Sequence, residues 1–269
     1  MTFHLGKQAA TYDKRDALYA DFRRSLAAAG KLPKVPTVFG HGNDFADWLM
    51  LGNGPDPTVA PGFEGCGDCA WAGPAHETME LCQNAKRPAP RFDGKTVVDQ
   101  YSEYSGYDPE TGANDTGSNV REVLQWRATK GLKDADGTVH KIGPYVALEP
   151  KNLEHLLEAA YLFECVGIGI EVPESAQQQF AEGKPWSVVP GAQIEGGHYI
   201  PVVGRPNSMD VAFITWAQRT LMTDQFYATF NDEAWAYISP EQFKAVTGRD
   251  YEGYDEAQLE EYLHLVATN

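Results

Sequence analysis

The chain has 269 residues, 42% hydrophobic and 22% charged, enough to bury one large core or two small ones. Lys and Arg number 22 against 38 Asp and Glu, a formal net charge of −16, and no basic patch stands out to neutralise a phosphate backbone, which argues against nucleic acid as a partner. No run approaches the roughly 20 apolar residues of a membrane span.

The N-terminus, Met1-Thr2-Phe3-His4-Leu5-Gly6-Lys7-Gln8, has no apolar stretch of the kind a signal peptide needs, so a cytoplasmic protein without a membrane partner is expected. Residues 13–29 read as an amphipathic helix with Leu18, Phe22 and Leu26 on one face and Gly30 as a stop. A turn-rich loop follows over 31–68. The next helix is expected from Cys69 to about Gln83, with Trp71, Ala75, Met79 and Cys82 on one face and Asp68 as its cap. Pro74 lies past the first turn, so this helix either kinks there or starts at Pro74. Asn119 and Glu122 have capping-box spacing for a helix over 119–130 that Gly131 closes. A further helix is expected over 151–163. Strands then follow at 166–172, 198–204, 211–216 and 235–238. Ser239-Pro240-Glu241 opens a short helix, and a last one covers 255–266. Helices first and strands after is the order of an α+β fold.

Two remote segments carry the chemistry. Gly65-Cys66-Gly67-Asp68-Cys69-Ala70-Trp71 puts a thiol at a helix start, where the macrodipole favours a thiolate. Gly196-Gly197-His198 puts an imidazole at the head of an apolar strand, 129 residues later. A cysteine paired with a distant histidine is the arrangement of nucleophilic thiol catalysis. Other readings of the same residues stay open. Cys69 could be a buried structural thiol or one arm of a redox Cys-x-x-Cys, and His198 a packed core residue. Cys66, Cys69, His76 and Cys82 could hold zinc, although Cys-x2-Cys-x6-His-x5-Cys is a weak pattern. His76 reads more simply as a packed helix residue. Residues 108–115 are acidic but lack the ligand spacing of a calcium loop. No cofactor or metal is called for. Four cysteines do not make a disulfide scaffold, and free thiols are expected.

The chain resembles the papain-like cysteine peptidases. Cys66-Gly67-Asp68-Cys69-Ala70-Trp71-Ala72 resembles their nucleophile segment, with one residue inserted before the Trp. Gly117-Ser118 and the following helix resemble the turn that borders the substrate cleft. Gly197-His198-Tyr199-Ile200-Pro201-Val202-Val203-Gly204 resembles the histidine strand, and Thr215-Trp216-Ala217 the segment that completes the triad. Leu51-Gly52-Asn53 and Gly67-Asp68-Cys69 with Ala72-Gly73-Pro74-Ala75-His76 are similar to an actinobacterial and phage Gly-Asp-Cys group.

Residues 1–35 are expected to form an N-terminal helical arm packed on the core, with an inhibitory segment as the alternative, and the resemblance implies a catalytic domain over 36–269. Within it, a helical subdomain (about 60–165) packs against an antiparallel β subdomain (about 166–245), with a cleft between them and a C-terminal helix at 255–266. It implies Cys69 as nucleophile, His198 as base and a peptide or protein substrate whose amide bond is split through an acyl-thioester. The family's oxyanion Gln falls on Phe63, which cannot donate, so Asn53 is the expected replacement. The family's orienting Asn falls near Ile214, so Thr215 is next in line, on the opposite strand face from Ile214, with Trp216 as a lid. A papain-fold protein that binds without catalysing is the alternative.

Overall fold

Alternation along two central strands divides the interior. In the computed structural model, which describes residues 3–40, 48–244, 247–250 and 253–267 (262–267 as backbone only), Val166, Ile168, Ile170 and Val172 face one apolar cluster. Ile200 and Val202 join them there. The intervening Tyr199 and Val203 face a second cluster. Period-2 patterning on a sheet buried on both faces produces this split.

The elements in chain order are α1 (Tyr19–Ala28), β1 (Phe39–Gly40), α2 (Cys69–Asn84), α3 (Gly94–Ser105), α4 (Val120–Thr129) and the small hairpin β2 (Leu132–Lys133) with β3 (Val139–His140). Then come β4 (Tyr145–Leu148), α5 (Leu153–Phe163), β5 (Val166–Pro173), α6 (Glu174–Ala181), β6 (Ile194–Arg205), β7 (Asp210–Thr215) and β8 (Gln218–Thr223). The chain continues with α7 (Asp224–Phe230), β9 (Asn231–Tyr237), a 3-10 turn (Pro240–Gln242) and α8 (Glu256–Ala267). The main sheet has the antiparallel order β4-β9-β5-β6-β7-β8, with β1 added to β6. Helices α6 and α7 interrupt the strand half, and β4 joins the sheet from before α5, so the two halves interleave. Residues 41–47 of the expected long loop lie outside the described residues. Among the described residues no helix is long and apolar enough to cross a membrane.

Helix α2 is the central element. It begins at Cys69 and runs unbroken past Pro74, and every residue of it except Gln83 is buried. The Thr78 hydroxyl donates to the Pro74 carbonyl at 2.8 Å. Gly73 is needed where α2 crosses β6, since a Cβ there would come within 2.6 Å of the Tyr199 ring. Asp68 sits at the cap position, but its side chain makes no capping bond. Helix α1 starts later than its pattern predicts. Asp13 accepts from the Arg15 backbone, and the Asp13 N–H donates to Asp16, so local side-chain bonds hold 13–16 in a turn.

Candidate active site

Cys69 is the first residue of α2, and His198 lies near the start of β6. The helix end meets the strand directly: the Tyr199 backbone N–H donates to Cys69 Sγ at 3.4 Å. Both candidate side chains are fully buried. His198 Nε2 is 2.7 Å from Thr215 Oγ1, and its ring stacks on Trp216 with centroids 4.9 Å apart at 24°. His198 Nδ1 has no hydrogen-bond partner among the described residues.

The strand parity expected for Thr215 holds, and it explains the pairing. Ile214 faces the cluster that contains Tyr199, whereas Thr215 follows Phe213 to the other face, the one His198 shares with Ile200. Thr215 pairs with Gln218 across a two-residue turn made by Trp216 and Ala217, at φ 45° and 61°. Neither is glycine, so this left-handed turn is a strained one, placed where it sets Trp216 against the imidazole.

Burial dominates the electrostatics. It pushes the Cys69 thiol up to about 11, against hydrogen bonds from the Tyr199 and Gly6 backbone, with the buried Asp68 carboxyl adding to the rise and Lys7 opposing it. Burial also pushes the His198 imidazole down to about 3. Both groups are therefore neutral at pH 7, in contrast to the thiolate expected from a helix dipole alone. Asp68 is itself held well above the carboxylate range by burial and by Asp115.

The N-terminal segment lies over this site, with the Gly6 backbone hydrogen-bonded to the Cys69 thiol. Residues 3–8 run extended along the groove between Ser118 and Gly197. Ser118 N–H donates to Gly6 O at 2.7 Å, Gln8 N–H to Ser118 O at 2.9 Å, and Lys7 N–H to Gly197 O at 2.9 Å. Gly6 touches Gly67, and a Cβ at Gly6, Gly117 or Gly197 would overlap backbone across the groove. Phe3 stacks on Trp216 at 4.5 Å. The Ser118 wall is held from behind by Trp71, whose Nε1 donates to Ser118 Oγ at 2.9 Å.

No family model matches the chain, and no curated protein matches it. Among solved structures, xylellain, a cysteine protease from Xylella fastidiosa, aligns over 88% of this chain and 96% of its own at 12% identity and a TM-score of 0.62. Procathepsin L 3 of Tenebrio molitor larval midgut aligns over 85% and 75% at 11% identity, TM-score 0.54. Procathepsin B S9 from Trypanosoma congolense aligns over 87% and 86% at 11% identity, TM-score 0.54. The fold is papain-like.

Within the papain-like fold the remaining candidates sit as follows. Asn53 is buried beside the cysteine segment: its neighbour Gly52 accepts from Cys66 N–H at 2.9 Å and packs on Asp68. Phe63 packs at the edge of the second cluster. His76 Nε2 meets the Leu49 carbonyl at 2.8 Å. All four cysteines are buried free thiols, and among the described residues no group of three or more His, Cys, Asp or Glu is arranged to hold a metal ion. In the acidic 108–115 segment, Asp108 accepts from Glu110 N–H and the Thr111 hydroxyl, while Asp115 turns inward to accept from Gly67 N–H and the Tyr101 hydroxyl. Sequence reasoning missed Gly6, Lys7, Asp232 and Glu233. A lone Lys near an N-terminus carries no local signal. The acidic pair heading the β9 strand was the one visible hint.

Proposed function

We propose that this chain is a cysteine hydrolase of peptide or amide bonds, closed by its own N-terminus. The observation that carries the reading is the bond from Tyr199 N–H to Cys69 Sγ, which puts the residue next to His198 in contact with the candidate nucleophile. With Nε2–H donating to Thr215, the lone pair of the neutral imidazole is on Nδ1. When the strap formed by residues 3–8 leaves, Nδ1 takes the Cys69 proton and the sulfur attacks the substrate carbonyl carbon. The oxyanion is held by the Cys69 N–H at the start of α2 and by the Asn53 amide. The C–N bond breaks, the departing amine takes the proton from His198, and a thioester remains. Water attacks it, His198 accepts the water's proton, the C–S bond breaks, and a carboxylic acid and the thiol are restored.

The glycines that line the groove support a peptide as substrate, since they let an extended backbone approach both walls, as residues 3–8 do. The covered, neutral thiol favours a second reading, a papain-fold protein that binds without catalysing. Hydrolysis of a casein or peptide library by the full chain carrying Gly6→Ala, and its loss in the Gly6→Ala, Cys69→Ala double variant, tests the first reading. Equal turnover with and without Cys69 overturns it.

A further inference from the structure

His140 lies between two carboxylates from distant parts of the chain. Its Nδ1 is 2.9 Å from Glu241 Oε1, and its Nε2 is 3.2 Å from Asp134 Oδ2. The imidazole is 12% exposed, and the two acidic side chains are 11% and 5% exposed. Asp134 and His140 belong to the β2–β3 hairpin that follows α4, whereas Glu241 belongs to the 3-10 turn that follows β9. That turn also receives Arg87, just beyond the C-terminal end of α2, whose Nη1 donates to the Pro240 carbonyl at 2.7 Å. Cys69 is at the other end of the same helix.

Each carboxylate is set in place by its own turn. Asp134 Oδ1 accepts from the Asp136 and Thr138 N–H groups at 3.0 and 2.8 Å, which leaves Oδ2 for the ring. Glu241 Oε2 accepts from the Ser239 hydroxyl, which leaves Oε1. The hairpin is anchored on α3 by Gln100, which accepts from Lys133 N–H at 2.7 Å and donates to its carbonyl at 3.0 Å. The ring packs on Phe92, with centroids 5.7 Å apart. Two preformed turns are thus joined through one imidazole.

Counting protons decides what the joint needs. An ionised carboxylate only accepts, so each ring nitrogen must bring a proton to its partner. A neutral imidazole has one N–H and one lone pair, and would set that lone pair against a carboxylate oxygen. The imidazolium satisfies both sides. Burial acts to lower the ring, but the bonds to Glu241 and Asp134 outweigh it and hold it above its ordinary value. Burial acts to raise Glu241, but the bonds from His140 and Ser239 outweigh it and hold it below the usual carboxylate range. The neighbouring groups are otherwise engaged. Arg91 is turned to Asp136 at 2.6 Å, and Asp93 caps α3 by accepting from Thr96 N–H. On α2, burial pushes the Cys82 thiol up to about 11, with Glu241 adding to the rise and Arg87 opposing it, so it is neutral. Glu256 at the start of α8 is raised by burial, by Glu260 and by Glu241.

We propose that His140 is a proton-operated clasp: as an imidazolium it fastens the β2–β3 hairpin to the turn after β9, and on giving a proton to solvent it releases one of the two. The clasp stands apart from the hydrolase reading, since it uses no residue of that site. Its sense follows from linkage. A ring held above its unfolded value of about 6.5 adds stability that is complete below about pH 6.5 and is lost as pH rises through the folded value. His198, which burial lowers, acts in the opposite sense.

Two measurements on the full chain test the clasp. The first is a proton–carbon NMR titration from pH 5 to 9.5. The His140 Cε1–H signal, assigned by its loss in His140→Gln, should inflect at least about one unit above 6.5. In Glu241→Gln, where one side of the ring faces a neutral amide, the inflection should fall by at least about half a unit. An inflection at or below 6.5 in the unaltered chain, or one that Glu241→Gln leaves in place, overturns the proposal.

The second is hydrogen exchange by mass spectrometry, corrected for the intrinsic rise with pH, over peptides spanning 132–140 and 239–242. Their protection should fall at least about fivefold from pH 6 to 9 while β5 keeps its own. In His140→Gln the same peptides should be weakly protected already at pH 6 and change less than about twofold over the range. Protection that ignores pH in the unaltered chain, a fall that β5 shares, or a fall that survives in His140→Gln overturns the clasp. Glu241→Gln takes the place of His140→Gln in this comparison should the latter fail to fold by circular dichroism.

Discussion

The Tyr199 hydroxyl donates to Glu77 Oε1 at 2.6 Å, and this bond joins the helix that begins at Cys69 to the strand that carries His198. Glu77 is fully buried, and its other oxygen takes Arg127 Nη1 at 2.8 Å and the Tyr237 hydroxyl. The Arg127 guanidinium also lies 4.4 Å over the Tyr237 ring. One carboxylate thus links α2, α4, β6 and β9. Glycines make the space: a Cβ at Gly167 on β5 would overlap the Tyr199 hydroxyl.

Glu77→Gln should therefore be strongly destabilising, because it strands the Arg127 charge in the interior. The expected loss is about 3–5 kcal/mol in urea unfolding. Tyr199→Phe removes one bond to a charged acceptor and should cost about 1.5–3 kcal/mol. A Glu77→Gln chain as stable as the unaltered one would mean that the network is incidental to the joint between the halves.

Gly6→Ala should open the strap. A methyl at Gly6 overlaps the Gly67 carbonyl, which is backbone at the start of the cysteine segment and cannot move aside as a side chain could. Iodoacetamide should then label Cys69 at pH 8 at least tenfold faster than in the unaltered chain, while Cys165, buried beneath α2 and β9, stays slow in both. Unchanged labelling of Cys69 would show that the strap does not control access.

Thr215→Val keeps the shape of the side chain and removes the hydroxyl that partners His198 Nε2. The imidazole is then free to change tautomer and to rotate away from Trp216. In the Gly6→Ala background kcat should fall about tenfold or more with KM little changed, and Thr215→Ser should restore it. A Val variant with full kcat would remove Thr215 from the positioning of His198.

Cys69 and His198 stand out in the sequence as candidates because their surroundings are locally distinctive: two glycines and an acid before the thiol, two glycines and an apolar run around the imidazole. The same holds for α4 and α5, whose caps Asn119 and Asn152 accept from residues three positions on. Helix α3 escaped notice although Asp93 caps it and Gly106 ends it, because its apolar stripe (Val97, Val98 and Tyr101) is thin among polar neighbours. Strand β8 escaped for a related reason: it is an edge strand, and Gln218, Arg219 and Thr220 read as loop. The Lys7–Asp232 pair spans 225 positions, and no local pattern can announce a contact of that range. The thiol's neutral state is hidden from the sequence for the same reason, since Gly6 and Tyr199, whose backbones contact it, are remote from it in the chain.

Two imidazoles should shape the acid limb of the stability curve. Burial lowers His76 from 6.5 to about 4 and His198 from 6.5 to about 3. The unfolded chain takes up these protons near pH 6.5, whereas the folded chain resists until pH 4 and 3. Stability from both is therefore complete above pH 6.5 and is lost as pH falls toward 4 for His76 and toward 3 for His198, by up to about 1.4 kcal/mol per unit for each group. Asp68 and Glu233, both raised by burial, act in the other sense: protonation of the folded form relieves them as pH falls. His76→Gln isolates one contribution, since the Gln amide can donate to the Leu49 carbonyl in place of Nε2 without titrating. Its Tm should fall less steeply than that of the unaltered chain between pH 6.5 and 4, and the two should run parallel above pH 7. Parallel curves over the whole range would show that His76 is not held neutral in the fold.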